Sequence, residues 1–289
     1  MSERISALTP KPITQSQVMA NFPKRPRDSH KGLFGTVAVI GGANGMIGAP
    51  LLAARATLKL GAGCVHVGLL AENAPSVDFL QPELMLHSAS AALQLPDVDV
   101  LAVGCGLGRD MAAQKLLHAA LNSNAALVLD ADALNILAQR PDLRTLLIAR
   151  ETACVLTPHP GEAARLLACD TKEIQADRVA TVTQLARQLR CSVVLKGAGS
   201  LCATRDGRLF VNTTGNPGMS SAGMGDVLTG MIAAFIAQGL TADNAMLLAV
   251  HLHGAAGDAL AQQQATIGMT ATEVTEWARW LLNRWASKS

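Results

Sequence analysis

The sequence predicts a three-layer α/β/α sandwich whose central sheet is mostly parallel. Short apolar runs rich in β-branched residues alternate with longer alanine- and leucine-rich segments of helical period, as in chains built from βαβ units. Runs such as residues 36–40 are apolar apart from the β-branched Thr36, which suits strands covered on both faces. With 289 residues, 49% hydrophobic and 16% charged, the chain holds enough apolar material for one large domain.

The elements follow one another in a regular order. Residues 1–29 are polar and contain four prolines, which predicts an N-terminal arm with a short helix or an extended stretch. Residues 30–289 show no linker or repeat and are predicted to form one catalytic domain. Its first strands are expected at 36–42, 64–70, 99–104 and 127–130, with helices at 46–60, 111–121 and 133–139. Later strands are expected at 154–157 and 192–196, then a hairpin at 200–211 that turns at RDGR, and three closing helices.

Composition excludes several classes of function. The net charge is only +2 and no basic stripe is present, so nucleic acid is not an expected partner. The chain has no tyrosine and 3% aromatic residues, which removes base-stacking and sugar-stacking surfaces. Six scattered cysteines without a CxxC pair predict a reducing, cytoplasmic location, and the absence of a long apolar run predicts no membrane span.

Two glycine-rich turns follow predicted strands, where ligands collect in a parallel sheet. The run GGANGMIG at 41–48 places backbone N–H groups at a helix start, but its spacing is not GxGxxG. The acidic residue that would hold a ribose after the second strand is also missing, which argues against a Rossmann dinucleotide site. This run is therefore either a tight strand-to-helix turn or a ligand contact, and the same holds for GCGLG at 104–108.

The most informative segment is residues 214–230. Its glycines allow a ligand to approach the backbone of Gly223, Met224 and Gly225, whose amides at a helix start would form an anion hole. Asp226 follows in the first helical turn. It either compensates the helix dipole or acts as a general base. As a base it would accept a proton from a hydroxyl group while the amides hold the phosphoryl group that this hydroxyl attacks.

Six motifs in this order resemble one family. They are HKGLFG at 30–35, DADAL at 130–134, TPHPGE at 157–162, KGAGS at 196–200, NPGM at 216–219 and AGMGD at 222–226. The last is similar to the GxGD signature of the ribokinase-like superfamily. Over about residues 30–282 the chain resembles the ADP/ATP-dependent NAD(P)H-hydrate dehydratases, in their bacterial ADP-using form.

That resemblance implies a lyase that repairs damaged nicotinamide cofactors. The family phosphorylates the ring hydroxyl of the (6S) hydrate of NADH or NADPH (NADHX or NADPHX), and loss of phosphate restores the double bond. Carried over, the residues that contact the hydrate are Ala43, Gly106, His159 and Asp226, with Asp226 as the catalytic base. The nucleotide-binding residues are Lys196, Gly197, Ala198, Gly199, Ser200 and Gly225.

The remaining implied groups leave alternatives open. Glu162 would organise Mg²⁺ through water, or it is simply an acidic residue at a helix N-terminus. Asp130 and Asp132 would join the outer shell of that metal, although a helix cap explains Asp132 as well. Lys196 would pair with a phosphate, or it extends its charge to solvent at the sheet end. Met224 stands where the family usually has a small hydroxyl residue.

Partners and competing functions follow from the same resemblance. ADP is the expected phosphoryl donor, with ATP as a further candidate, and the family suggests a homotetramer. The first 30 residues leave no room for the epimerase domain that often accompanies the family, so a separate NAD(P)H-hydrate epimerase is expected. The alternatives are a kinase of a vitamin-precursor alcohol on the same fold and a non-catalytic dinucleotide-binding protein.

Overall fold

The computed structural model describes residues 9–264 and 266–287, within which ten strands form one sheet between two layers of helices. The strands are β1 (Lys11–Pro12), β2 (Thr36–Gly41), β3 (Cys64–Leu69), β4 (Met85–Ser88), β5 (Val100–Val103), β6 (Ala126–Leu129), β7 (Cys154–Leu156), β8 (Ser192–Leu195), β9 (Leu201–Ala203) and β10 (Leu209–Val211). The helices are α1 (Gln15–Met19), α2 (Gly48–Lys59), α3 (Ala89–Ala92), α4 (Met111–Leu121), α5 (Asp132–Gln139), α6 (Pro141–Ala149), α7 (Pro160–Leu167), α8 (Thr171–Ala176), α9 (Arg178–Leu189), α10 (Met224–Ala237), α11 (Ala242–Gln263) and α12 (Ala271–Ala286).

The sheet is mostly parallel, as predicted. Its strand order is β1-β10-β9-β8-β7-β6-β5-β2-β3-β4. The pairs from β4 through β8 are parallel, and the hairpin of β9 and β10 adds the antiparallel edge that the RDGR turn predicted. The chain runs outward from β2 to β3 and β4 and then returns to β5 on the other side of β2. This reversal opens a crevice beyond the carboxyl ends of β2 and β5, the usual place for a ligand in such a sheet.

Alternate residues of each central strand enter two separate cores. In β2, Val37 and Val39 belong to the core under α2, α10, α11 and α12, whereas Ala38 and Ile40 belong to the core under α4, α5 and α9. Because both faces are covered, every residue of such a strand must be apolar. The expectation of a three-layer α/β/α sandwich is thus confirmed.

Close packing between α2 and α10 fixes the helix that carries Asp226. A Cβ added to Gly230 would lie 2.0 Å from the carbonyl oxygen of Ala53, so only glycine allows this approach. Thr57 donates a hydrogen bond to the carbonyl of Gly230 at 3.0 Å. Helix α10 therefore lies against α2 at a set distance.

The described part of the N-terminal arm packs into the domain. Strand β1 pairs with β10, and Ile13, Val18 and Met19 are buried in the core under α10 to α12. The division into an arm at 1–29 and a catalytic domain at 30–289 stays a prediction. Among the described residues, no helix combines the length and the apolar character needed to cross a bilayer, and this includes the 22-residue α11.

Most predicted elements lie within two residues of the observed ones, whereas the sequence analysis did not locate β1, β4, α1, α3 or α6–α9. Strand β4 is an edge strand with exposed ends, so it lacks the apolar run that marked the central strands. Helix α10 begins at Met224, so Asp226 lies in its first turn as expected.

Candidate active site

The two glycine-rich turns meet at the crevice between β2 and β5. The amide of Ala43 donates to the carbonyl of Gly106 at 2.7 Å, and the amide of Gly42 donates to that of Cys105 at 3.2 Å. Gly106 has φ +58, and a Cβ there would lie 2.6 Å from the carbonyl oxygen of Met46. The turns are therefore fixed against each other, which brings the predicted substrate residues Ala43 and Gly106 together.

Charged side chains gather at the carboxyl ends of the next three strands. Asp130 follows β6, Lys196 follows β8, and Glu162 lies on α7 after β7. The Nζ of Lys196 is 2.6 Å from Oδ1 of Asp130 and 3.9 Å from Oε2 of Glu162. Asp130 and Glu162 are buried, with side chains 2% and 5% exposed. Lys196 thus lies between two buried carboxylates, and this ion pairing shows that its charge does not simply extend to solvent.

The pKa shifts follow from this arrangement. Burial by itself lowers the pKa of Lys196, but the attraction of Asp130 and Glu162 outweighs it and the pKa is raised. Burial raises the pKa of Glu162 to about 7, while Lys196 acts against that rise. Lys196 therefore stays a cation, and Glu162 can hold or release a proton near neutral pH.

His159 and Glu162 cap helix α7 in a reciprocal way. The amide of His159 donates to Oε2 of Glu162 at 2.8 Å, and Nδ1 of His159 accepts from the amide of Gly161 at 3.0 Å. Since Nδ1 accepts, the proton of the neutral ring is on Nε2, which lies 3.2 Å from Oε1 of Glu162. Burial and the nearby Lys196 lower the pKa of His159. Glu162 thus does serve as a helix-terminal acid, and His159 keeps a half-exposed ring beside the charged cluster.

Asp226 lies at the same cluster, on the first turn of α10. Burial, together with the like charge of Asp130, raises its pKa to about 6 against the opposing effects of a hydrogen bond with the Cys105 thiol and the charge of Lys196. At neutral pH the carboxylate is mostly ionised yet binds a proton more tightly than an exposed aspartate does. These are the properties required of a general base.

The start of α10 can hold an anion. Gly223 precedes the helix with φ +88, and a Cβ there would lie 2.6 Å from Cδ1 of Leu52. The first N–H groups of a helix have no partner within it and point outward along the positive end of its dipole. A Cβ on Gly225 would lie 3.3 Å from Nζ of Lys196, so this backbone passes directly beside the ammonium group.

A cavity of about 680 Å³ opens beside this helix start. All six predicted nucleotide residues line it, namely Lys196, Gly197, Ala198, Gly199, Ser200 and Gly225. The opposite wall includes the loop at 212–217, which Asp258 holds by accepting from Gly215 at 2.8 Å and from the side chain of Asn216 at 3.1 Å.

His253 also lines this cavity, although none of the sequence motifs predicted a role for it. Burial and the charge of Lys196 lower its pKa to about 4, so the ring is neutral. Its Nε2 is buried and has no hydrogen-bond partner among the described residues. His253 precedes Gly254, whose backbone packs against Thr214 of the loop, and the sequence alone does not show that α11 lies against that loop.

A larger cavity of about 920 Å³ lies between α1, the end of α2 and α12, and we do not assign the site there. Two of its cations already have partners: Arg25 donates to the carbonyl of Gly61, and Lys59 pairs with Glu276 at 2.9 Å. It also lacks the convergent carboxylates and glycine turns of the crevice.

A direct protein cage for a metal ion is not found in the described parts of the chain, where no three His, Cys, Asp or Glu side chains are grouped for that purpose. The carboxylates of Glu162 and Asp130 are hard oxygen donors beside the cavity, and both are partly engaged by protein donors. This set fits an Mg²⁺ ion that keeps its waters and binds mainly through phosphates.

Comparisons with known proteins point to one family of enzymes. Residues 37–279 match the family model described as NAD(P)H-hydrate dehydratase. The chain is 43% identical over 267 residues to the ADP-dependent (S)-NAD(P)H-hydrate dehydratase of Neisseria meningitidis, covering 91% of this chain and 90% of that protein. The bifunctional NAD(P)H-hydrate repair enzyme of Coxiella burnetii is 40% identical, and the match covers 91% of this chain but 53% of that enzyme.

A solved structure shares the whole fold. The ADP/ATP-dependent NAD(P)H-hydrate dehydratase of Bacillus subtilis, co-crystallized with ATP and Mg²⁺, superposes with a TM-score of 0.87 at 31% identity. The match covers 96% of this chain and 100% of that one.

Proposed function

Because this chain belongs to the NAD(P)H-hydrate dehydratase family, we propose that it restores NADH or NADPH from their (S) hydrates with ADP as the phosphoryl donor. It is a hydro-lyase with the ribokinase-like α/β/α fold that the sequence predicted. The observation that carries the proposal at the level of residues is the placement of Asp226, on the helix start that borders the 680 Å³ cavity and beside the Ala43–Gly106 crevice.

The chemistry proceeds in two steps. Asp226 accepts the proton of the ring hydroxyl as that oxygen attacks the β-phosphoryl group of ADP, which releases AMP. The ring nitrogen lone pair then expels phosphate by breaking the ring C–O bond, and loss of a proton from the adjacent carbon restores the double bond. Hydroxide is a poor leaving group and a phosphate ester a good one, which is why a kinase fold can serve a dehydratase.

Each part of the site has a role in this sequence. The first amides of α10, at Gly223, Met224 and Gly225, would hold the transferred phosphoryl group, and Lys196 would pair with it. Met224 contributes only its backbone, since its side chain is buried in the core and offers no hydroxyl. We assign the cavity lined by residues 196–200 to the nucleotide.

The crevice side of the site would hold the hydrate. Ala43 and Gly106 would contact it through the fixed glycine turns, and His159 would reach it with its half-exposed ring. Glu162 would hold Mg²⁺ through water, and Asp130 would contribute to the same outer shell. When bound, Mg²⁺ neutralises charge on the phosphates.

The wider setting of the enzyme is also part of the proposal. All six cysteines are free thiols, which supports a reducing cytoplasm. The bifunctional repair enzyme of Coxiella burnetii, of which the match covers 53%, supports an NAD(P)H-hydrate epimerase that works in the same pathway as this chain. Exposed Phe79, Leu80 and Trp280 leave apolar surface for the expected homotetramer.

Product analysis tests the reaction. The hydrate is incubated with the chain and ADP, and absorbance at 340 nm is followed together with AMP and phosphate release. Recovery of absorbance with equal amounts of AMP and phosphate supports a dehydratase, whereas a stable phosphomonoester would indicate the alcohol kinase. Asp226→Asn should bind both ligands but lose turnover by at least about 100-fold, on the scale of a removed general base. Absence of any wild-type turnover would favour the non-catalytic binding protein.

A further inference from the structure

Thr229 breaks a pattern that other helical threonines of this chain follow. Thr145, Thr181, Thr183 and Thr275 each donate their hydroxyl to the carbonyl four residues earlier in the same helix. That local bond is the usual choice for threonine inside a helix. Thr229 instead donates to Oδ2 of Asp130, 2.9 Å away at the end of β6.

Asp130 connects Thr229 with Lys196. Its Oδ2 accepts from Thr229, and its Oδ1 accepts from Nζ of Lys196 at 2.6 Å and from the amide of Ala131 at 2.8 Å. Asp130 is 1% exposed and Thr229 is fully buried, so Thr229 cannot touch a ligand. Whatever Thr229 does for the reaction must pass through Asp130.

We propose that Asp130 and Thr229 are positioning residues that hold Lys196 at the nucleotide cavity and tie it to α10. The two oxygens of one carboxylate connect the end of β8, through Lys196, with the helix that carries Asp226. Thr229 lies three residues after Asp226, so the two side chains share one face of α10. The tie therefore fixes the position of the Lys196 ammonium, which would pair with the phosphates, relative to α10.

Geometry explains why both contacts are needed. A lysine side chain has four flexible methylene groups, and a buried carboxylate fixes its ammonium only if the carboxylate itself cannot rotate. The bond from Thr229 and the amide of Ala131 prevent that rotation. Without the Thr229 hydroxyl, the carboxylate of Asp130 can rotate. The Lys196 ammonium that is bonded to it then moves away from the cavity.

The inference rests on the proposed nucleotide role of Lys196, so binding of ADP is measured separately from turnover. Thr229→Val removes the hydroxyl at nearly constant volume. We expect the Kd for ADP, measured by calorimetry, and the KM for ADP to rise about tenfold, the usual scale for one lost hydrogen bond to a charged group. The KM for the hydrate should change less than twofold, and Thr229→Ser should restore ADP affinity.

Thr57→Val is the matched control. Thr57 is also fully buried, and its hydroxyl also meets α10, at the carbonyl of Gly230, but it has no link to Asp130. It should lose folding stability and keep ADP affinity. Thr229→Ala repeats the comparison if valine prevents folding.

The outcomes separate the two proposals. Equal ADP affinity in the Thr229 and Thr57 variants, or failure of Thr229→Ser to restore it, would overturn the positioning role. Wild-type protein that binds no ADP would overturn the proposed function itself. Wild-type binding with a selective loss in Thr229→Val supports both.

Discussion

The ionisation of Asp226 should limit the reaction in mild acid. Its carboxyl has a pKa of about 6, against an ordinary 3.8, because it is buried and lies near Asp130. If the ionised form is the base, about 99% of it is active at pH 8 and about 9% at pH 5. An aspartate of ordinary pKa would still be about 94% ionised at pH 5. We therefore expect kcat/KM to fall about tenfold from pH 8 to pH 5.

The assay reads AMP release across that range, because reduced nicotinamides decompose in acid and would distort the absorbance. The value of kcat/KM is used since it reports the ionisation of the free enzyme, which is the state described by the structure. Glu162, whose pKa burial raises to about 7, is another group of the site that titrates in this range. In Glu162→Gln the fall of kcat/KM near pH 6 should remain. The residual activity of Asp226→Asn should show no such fall. A flat profile in the wild type down to pH 5 would refute the assignment of Asp226 as base.

Three further substitutions test neighbouring parts of the site. Asp226→Asn should stabilise the folded chain at pH 7 by up to about 3 kcal/mol, because a raised pKa means that the folded state loses stability as pH rises from 3.8 to about 6. Urea unfolding at pH 7 and pH 4 checks this, and the gain in the free energy of unfolding at pH 4 should be below about 1 kcal/mol. Asp28→Asn, which changes an exposed carboxylate, is the control. Lys196→Met should weaken ADP binding at least about tenfold by calorimetry, and unchanged affinity would contradict its phosphate role. Gly223→Ala should cost about 1–3 kcal/mol in thermal unfolding, because it forces φ +88 on alanine and a Cβ against Leu52; a melting temperature equal to wild type would contradict that strain.

The fold was predictable because both faces of the central strands are covered. Residues 37–40 must be apolar at every position because alternate side chains enter two cores, and this run was visible in the sequence. The hairpin was visible for a different reason, since its turn residues are adjacent in the chain. Edge strand β4 and the short helices around α8 were not, because their half-buried faces need few apolar residues.

The site was predictable where its residues are contiguous in the chain. The glycine run at 223–225 and Asp226 are contiguous, so a carboxylate at a helix start could be inferred from the order of residues alone. The bond from Thr229 to Asp130 could not, because it joins residues separated by 99 positions. The contact of the Cys105 thiol with Asp226 was hidden in the same way, since the glycine turn that carries it gives no sign of which helix it faces.

A crystal structure with ADP and the hydrate tests the central claim most directly, namely that nucleotide and hydroxyl meet at Asp226. The adenylate should fill the 680 Å³ cavity, with its terminal phosphate beside the amide of Gly225 and within hydrogen-bond distance of Lys196 Nζ. The ring hydroxyl should lie about 3 Å from the Asp226 carboxylate. An adenylate in the cavity near α12, or a hydroxyl group that faces away from Asp226, would contradict the account.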